Sequence, residues 1–119
     1  MEFEKLALEV SAQKAGLTAV TPRVLRGASG VEHRFDLLFT DGARYYGFDF
    51  YSRVTDIEVV TSYAKKFDSG CSVNIICPSD RVTDDARRLA QAYNMRLLSH
   101  GAAATFFVLE PVPPQGTFG

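Results

Sequence analysis

Apolar and polar positions repeat along this chain with two different periods, and the switches between them mark out its elements. Over residues 2–15, Phe3, Leu6, Ala7 and Val10 recur at helical spacing among Glu2, Glu4, Glu9 and Lys14. That spacing predicts a helix with these four apolar residues turned inward. The acids of the first turn suit the positive end of the helix dipole, and Gly16 is placed for a left-handed cap. Three strand-like runs follow, at 18–25 (TAVTPRVL), 32–40 (EHRFDLLFT) and 43–51 (ARYYGFDFY). Pro22 directs the first towards a sheet edge or a bulge, because it has no N–H for a ladder. Asp41-Gly42 joins the other two, and an Asp-Gly pair between alternating runs predicts a hairpin closed by a type I′ turn.

The helical period returns at Asp56. Thr55-Asp56-Ile57-Glu58 has the form of a capping box, Ile57, Val60, Ala64 and Phe67 form the expected buried stripe, and Gly70 lies just past the end. Residues 72–77 read as a buried strand. Thr83 caps a further helix with Ala86, Leu89, Ala90 and Tyr93 inward. Short strands are expected at 95–98 and 104–109. The stretch Pro111–Gly116 cannot hold a regular ladder and reads as extended or disordered. The predicted fold is α/β: a mixed sheet flanked by helices, with an αβββαβ core plus a further helix and strands. It forms a single domain over 1–110, with a Pro/Gly-rich tail over 111–119.

Composition narrows the function classes. The 119 residues are 46% hydrophobic and 23% charged, the balance of a soluble globular domain with its own core. The formal charge of −1 argues against an obligate polyanion binder, although a local basic face remains compatible with it. Arg23, Arg26, Arg34, Arg44, Arg53, Lys65 and Lys66 all fall between residues 23 and 66. Cys71 and Cys77 match neither a zinc nor a redox spacing. Reduced thiols and the absence of a secretory signature at Met1-Glu2-Phe3-Glu4-Lys5 lead to an expected cytoplasmic location. No apolar run approaches the roughly 20 residues of a membrane helix, so no membrane partner is expected.

Candidate chemistry lies on the hairpin. Alternation places Glu32, Arg34 and Asp36 on one face of the second strand, and Gly47, Asp49, Tyr51 and Arg53 on one face of the third, with Phe35, Leu37, Phe39, Phe48 and Phe50 towards the core. Asp36 and Asp49 each interrupt an apolar run, and burying both unpaired would cost several kcal/mol, so a shared polar site is expected. Two carboxylates and the Phe50 carbonyl supply the hard oxygens that Mg²⁺ accepts, and such an ion can activate water at a phosphodiester. Pairing of the acids with Arg34, Arg44 or Arg53 is the structural alternative. Lys65 and Lys66 read as a solvated helix face, His33 as a structural hydrogen-bonding residue and His100 as a loop residue.

The segment Gly27–Leu38, the hairpin, and Gly47-Phe48-Asp49-Phe50-Tyr51-Ser52-Arg53 together resemble the PD-(D/E)xK nucleases, most closely the Mrr-type restriction endonucleases and archaeal Holliday-junction resolvases. Phe3-Glu4 is similar to the acid-bearing first helix of that family, and Val82–Leu98 to its later helix and strand. The resemblance implies a restriction-endonuclease-like fold acting on DNA as a homodimer. It further implies that Asp36 and Asp49 hold Mg²⁺ and that Glu4 helps orient water. Tyr51 stands at the motif lysine, which in the family positions or activates the attacking water. A phenol, neutral near pH 7, supplies no such charge, so either Arg53 or Lys65 replaces the lysine or the chemistry is weakened or lost. In the latter case the chain is a non-catalytic module that binds DNA or a protein partner.

Overall fold

The structure is a computed structural model and describes residues 2–109; the tail over 111–119 lies outside the described residues. The chain runs through α1 (Glu2–Lys14), β1 (Thr18–Ala19), β2 (Val24–Arg26), β3 (Glu32–Arg34), β4 (Leu37–Thr40), β5 (Tyr45–Phe50), α2 (Asp56–Ser69), β6 (Ser72–Ile76), α3 (Asp84–Ala92), β7 (Arg96–Leu98), α4 (His100–Ala104) and α5 (Phe106–Leu109). A five-stranded sheet in the order β1-β4-β5-β6-β7 forms its centre, and β2 and β3 make a separate two-stranded sheet. β1, β4 and β5 pair antiparallel, and β5, β6 and β7 run parallel. This is the mixed α/β sheet flanked by helices that the sequence predicts.

Two apolar layers sandwich the sheet. Leu37, Phe39, Phe48 and Phe50 pack against Leu8 and Ala12 of α1 and against Phe106 and Phe107. Phe35, Leu38, Val73 and Ile75 pack against Val59 of α2 and Ala86 and Ala90 of α3. Phe48 has no solvent exposure and meets Phe39, Phe106 and Phe107 edge to face, a favoured geometry because ring edges and faces carry opposite charge.

Several local expectations are corrected. The run 32–40 is not one strand: β3 leaves the main sheet to pair with β2, and β4 starts only at Leu37. The alternation therefore breaks at Asp36, which is why Phe35 and Leu37 enter different layers. The run 18–25 divides in the same way around a cis Thr21–Pro22 bond. In the β4–β5 hairpin the register pairs Thr40 with Tyr45, so the chain reverses at Gly42-Ala43. Of these two only Gly42 has a positive φ (+96°), as type II′ rather than type I′ requires. Asp41 flanks the turn and accepts the N–H groups of Ala43 and Arg44. Residues 104–109 are not a strand either, because Ser99 caps α4 by accepting from the Ala102 N–H and two short helices follow.

Both long helices face the opposite way from the predicted stripe. Phe3 and Phe67 are 74% and 79% exposed, and Leu6, Val10, Ile57 and Val60 are exposed with them. α1 instead buries Leu8 and Ala12, and α2 buries Val59 and Ser62. The ends of α2 form as expected. Thr55 and Glu58 make the reciprocal capping box, and Gly70 closes the helix at φ +71° with its N–H on the Lys66 carbonyl. Among the described residues no helix is long and apolar enough to cross a membrane.

Candidate functional site

β5 lies between β4 and β6, so a polar side chain at its centre has no route to solvent along the sheet plane. Phe48 and Phe50 fill the α1 side; Asp49, between them, points to the α2 side and is only 3% exposed. Helix α2 supplies its partners from positions three apart, which share one face of a helix. Ser62 Oγ donates to Asp49 Oδ2 at 3.0 Å. Lys65 Nζ lies 3.2 Å from both Asp49 oxygens and donates to the Arg34 carbonyl at 2.6 Å. The same ammonium sits 5.1 Å from the centre of the Phe35 ring, where the negative face of the π-system attracts it.

Gly47 makes that platform possible. A Cβ at this position would come within 2.6 Å of the Phe35 ring, so only glycine lets the ring pack this closely on the strand and support Lys65.

Asp36, one residue ahead of β4, turns to the same end of β5 and accepts the Phe50 N–H on Oδ2 at 2.7 Å. It is close enough for its charge to act on Asp49. Burial pushes the Asp49 carboxyl above the usual carboxylate range; Lys65 and Ser62 oppose the shift and Asp36 adds to it. Desolvation dominates because a charge loses more hydration in the interior than one partner restores. Tyr51 joins through its hydroxyl, 3.3 Å from Ser62 Oγ, and burial raises its phenol above its ordinary value. Tyr51, Ser62, Asp49 and Lys65 thus form one hydrogen-bonded chain, with Asp36 beside it.

Two candidates named from the sequence lie elsewhere. Glu4 belongs to α1, on the other side of the sheet, where its Oε1 is 4.0 Å from His100 Nδ1. Among the described contacts it does not reach either aspartate. Arg53 is exposed and lines an open depression with Asp80, Arg81, Val82, Thr83 and Asp84. His33 is structural, as expected: its Nε2 is 2.7 Å from Asp68 Oδ2. Asp68 also accepts the Ser29 hydroxyl and N–H, and Ser29 and His33 hold its carboxyl down to about 2.

Ser62 is the functional residue that sequence reasoning passed over, while Lys65, named as one of two stand-ins for the motif lysine, otherwise read as part of a solvated helix face. The signal lay in Asp49 itself, since a buried carboxylate calls for a cation within reach. Ser62-x-x-Lys65 is the polar arc of α2 opposite the apolar stripe, and choosing the stripe as the inner face hid it.

Asp36 and Asp49 offer the hard oxygens that a magnesium-type ion takes. Among the described residues no three His, Cys, Asp or Glu side chains gather as a closed metal cage. Mg²⁺ does not need one, because it binds through one or two carboxylates and keeps water and phosphate as its other ligands. The positive charge beside Asp49 in this structure is the Lys65 ammonium.

No family model and no curated protein matches the chain. A solved structure described as a protein of unknown function, AF1548, is similar in fold, with a TM-score of 0.58 at 15% identity over 81% of this chain. The match spans 57% of that protein's length.

Proposed function

We infer that this chain is a restriction-endonuclease-like domain of the PD-(D/E)xK type, in which Lys65 of α2 takes the place of the lysine that the motif lacks at Tyr51. The observation that carries this reading is the position of Lys65 Nζ, 3.2 Å from both oxygens of Asp49, with Asp36 alongside. Two acids and one lysine converge from three segments of the fold. The proposed substrate is DNA, the chemistry Mg²⁺-assisted hydrolysis of a phosphodiester, and the working unit a pair of chains. When bound, the ion would polarise the phosphate and lower the pKa of a bound water. Lys65, on its flexible stem, would supply the positive charge that steadies the developing phosphoryl charge, and Ser62 would hold Asp49 in its rotamer.

A second reading is favoured by a different observation. Asp49 is nearly solvent-free and both of its oxygens already have partners, while α1 and α2 each expose an apolar stripe. Those features suit a non-catalytic module that binds a protein or DNA partner. Cleavage assays on duplex and branched DNA with Mg²⁺ and Mn²⁺ separate the two. Cutting by the natural chain that is lost in both Asp49→Ala and Lys65→Ala supports the nuclease reading. No cutting under any condition, together with retention of DNA or of a protein, supports the module.

A further inference from the structure

The surroundings of Lys65 are those of a bound small cation more than of a surface lysine. Three oxygens from two segments surround its Nζ: Asp49 Oδ1 and Oδ2 at 3.2 Å and the Arg34 carbonyl at 2.6 Å. The Phe35 ring closes another side, and only 18% of the side chain meets solvent. An ammonium is a compact, strongly hydrated charge. Here carboxylate, carbonyl and ring replace most of its hydration shell, as protein oxygens replace water around a metal ion. The neighbouring Lys66 differs: its Nζ reaches one carbonyl, that of Asn94, at 3.4 Å.

We propose that Lys65 is a displaceable occupant of the cation site: its ammonium fills the cradle of Asp49 and the Arg34 carbonyl until a divalent ion enters and drives it out. This rests on the reading of Asp36 and Asp49 as a metal pair and adds how that site is kept and opened. A divalent ion on Asp49 and an ammonium on the same two oxygens repel across a few ångströms, where screening by solvent is weak. Both cannot hold the carboxylate at once. The lysine is the one able to leave, because its four-carbon stem is flexible and its side chain keeps some exposure to solvent. Until then it neutralises Asp49, so the buried acid is satisfied without metal and the fold does not depend on an ion.

The test uses the full chain and two readouts. Lysine amines are labelled with limiting acetic anhydride, with and without saturating Mn²⁺, and the label is located by mass spectrometry; Lys66 is the internal reference. Mn²⁺ affinity is measured by calorimetry for the natural chain, Lys65→Met, Lys66→Met and Asp49→Asn. The expected result is a protected Lys65 whose labelling rises about tenfold with Mn²⁺, a Lys65→Met chain that binds Mn²⁺ about tenfold more tightly, near-natural affinity in Lys66→Met, and loss of binding in Asp49→Asn. Binding by Lys65→Met alone overturns displacement, because Lys65 then blocks the site instead of yielding it. Mn²⁺ binding to the natural chain with Lys65 labelling unchanged overturns the displacement and leaves the metal-pair reading intact. No binding by either the natural chain or Lys65→Met overturns both. If Lys65→Met does not fold, labelling of the natural chain still decides.

Discussion

Lys65 Nζ stands 3.2 Å from both carboxylate oxygens of Asp49, so the middle of α2 is tied to the centre of the sheet through one ammonium. The hydroxyl of Tyr51 is 3.3 Å from Ser62 Oγ in the same chain of contacts. A lysine at 51 would therefore enter the site from the strand, where Lys65 now enters from the helix.

The first prediction exchanges the two. Lys65→Ala is expected to lower Mg²⁺-dependent nicking of supercoiled plasmid by about 10²–10³-fold, the usual loss for one preorganised charge in a transition state. Adding Tyr51→Lys to that variant is expected to restore part of it. Equal nicking by the natural chain and Lys65→Ala would remove the lysine from the chemistry.

Ser62 is buried and its hydroxyl serves the charged Asp49. Ser62→Ala leaves that carboxylate short of a donor and is expected to cost about 1–3 kcal/mol in urea unfolding. A neutral effect would show that Lys65 alone satisfies Asp49.

Phe48→Ala should cost about 3–5 kcal/mol, since the ring is fully enclosed among other aromatics. Phe67→Ser should stay within about 0.5 kcal/mol, as at other exposed positions. Comparable losses in both would mean that α2 packs on its other face.

Gly47→Ala is expected to destabilise by about 1–3 kcal/mol through overpacking against Phe35. Combined with Phe35→Ala, the two costs should be markedly less than additive, because the clash disappears with the ring. Full additivity would separate the two residues.

Asp68 sets an acid limb. Its folded carboxyl sits at about 2, below the roughly 3.9 of an unfolded chain. Its contribution to stability is therefore present above about pH 4 and is lost as pH falls towards 2. Asp68→Asn should lower the melting temperature at pH 6, converge with the natural chain near pH 2, and so flatten the profile between. Parallel profiles would place the acid sensitivity elsewhere.

What the sequence disclosed divides along a physical line. Signals written in adjacent residues were legible: the Thr55–Glu58 capping box, the Gly70 cap, the Thr83 cap and the apolar strand at 72–76 all form. The pairing of β4 with β5 was legible too, although its turn falls one residue later. The inner faces of α1 and α2 were not. Periodicity identifies the most apolar arc of a helix, whereas burial goes to the arc that fits the sheet, here one of smaller residues such as Ala12, Val59 and Ser62. The break at Asp36 was hidden for a related reason, because alternation continues through 32–40 even though the strand changes partners. Asp49 could be singled out as a buried acid, but its partner arrives from sixteen residues away, a distance fixed only once α2 is laid on the sheet.

The β2–β3 hairpin is held to α2 at two points of different strength. Asp68 grips its tip with the hydroxyl and N–H of Ser29 and the ring of His33, and Lys65 holds its base through the single carbonyl of Arg34. In mechanical terms the tip is a hinge and the base a latch. Releasing the latch leaves the tip fixed and Asp36 still pinned to β5 through the Phe48 carbonyl and the Phe50 N–H, so the play it creates falls on Arg34. The lysine that neutralises one acid thereby also tethers the chain two residues ahead of the other.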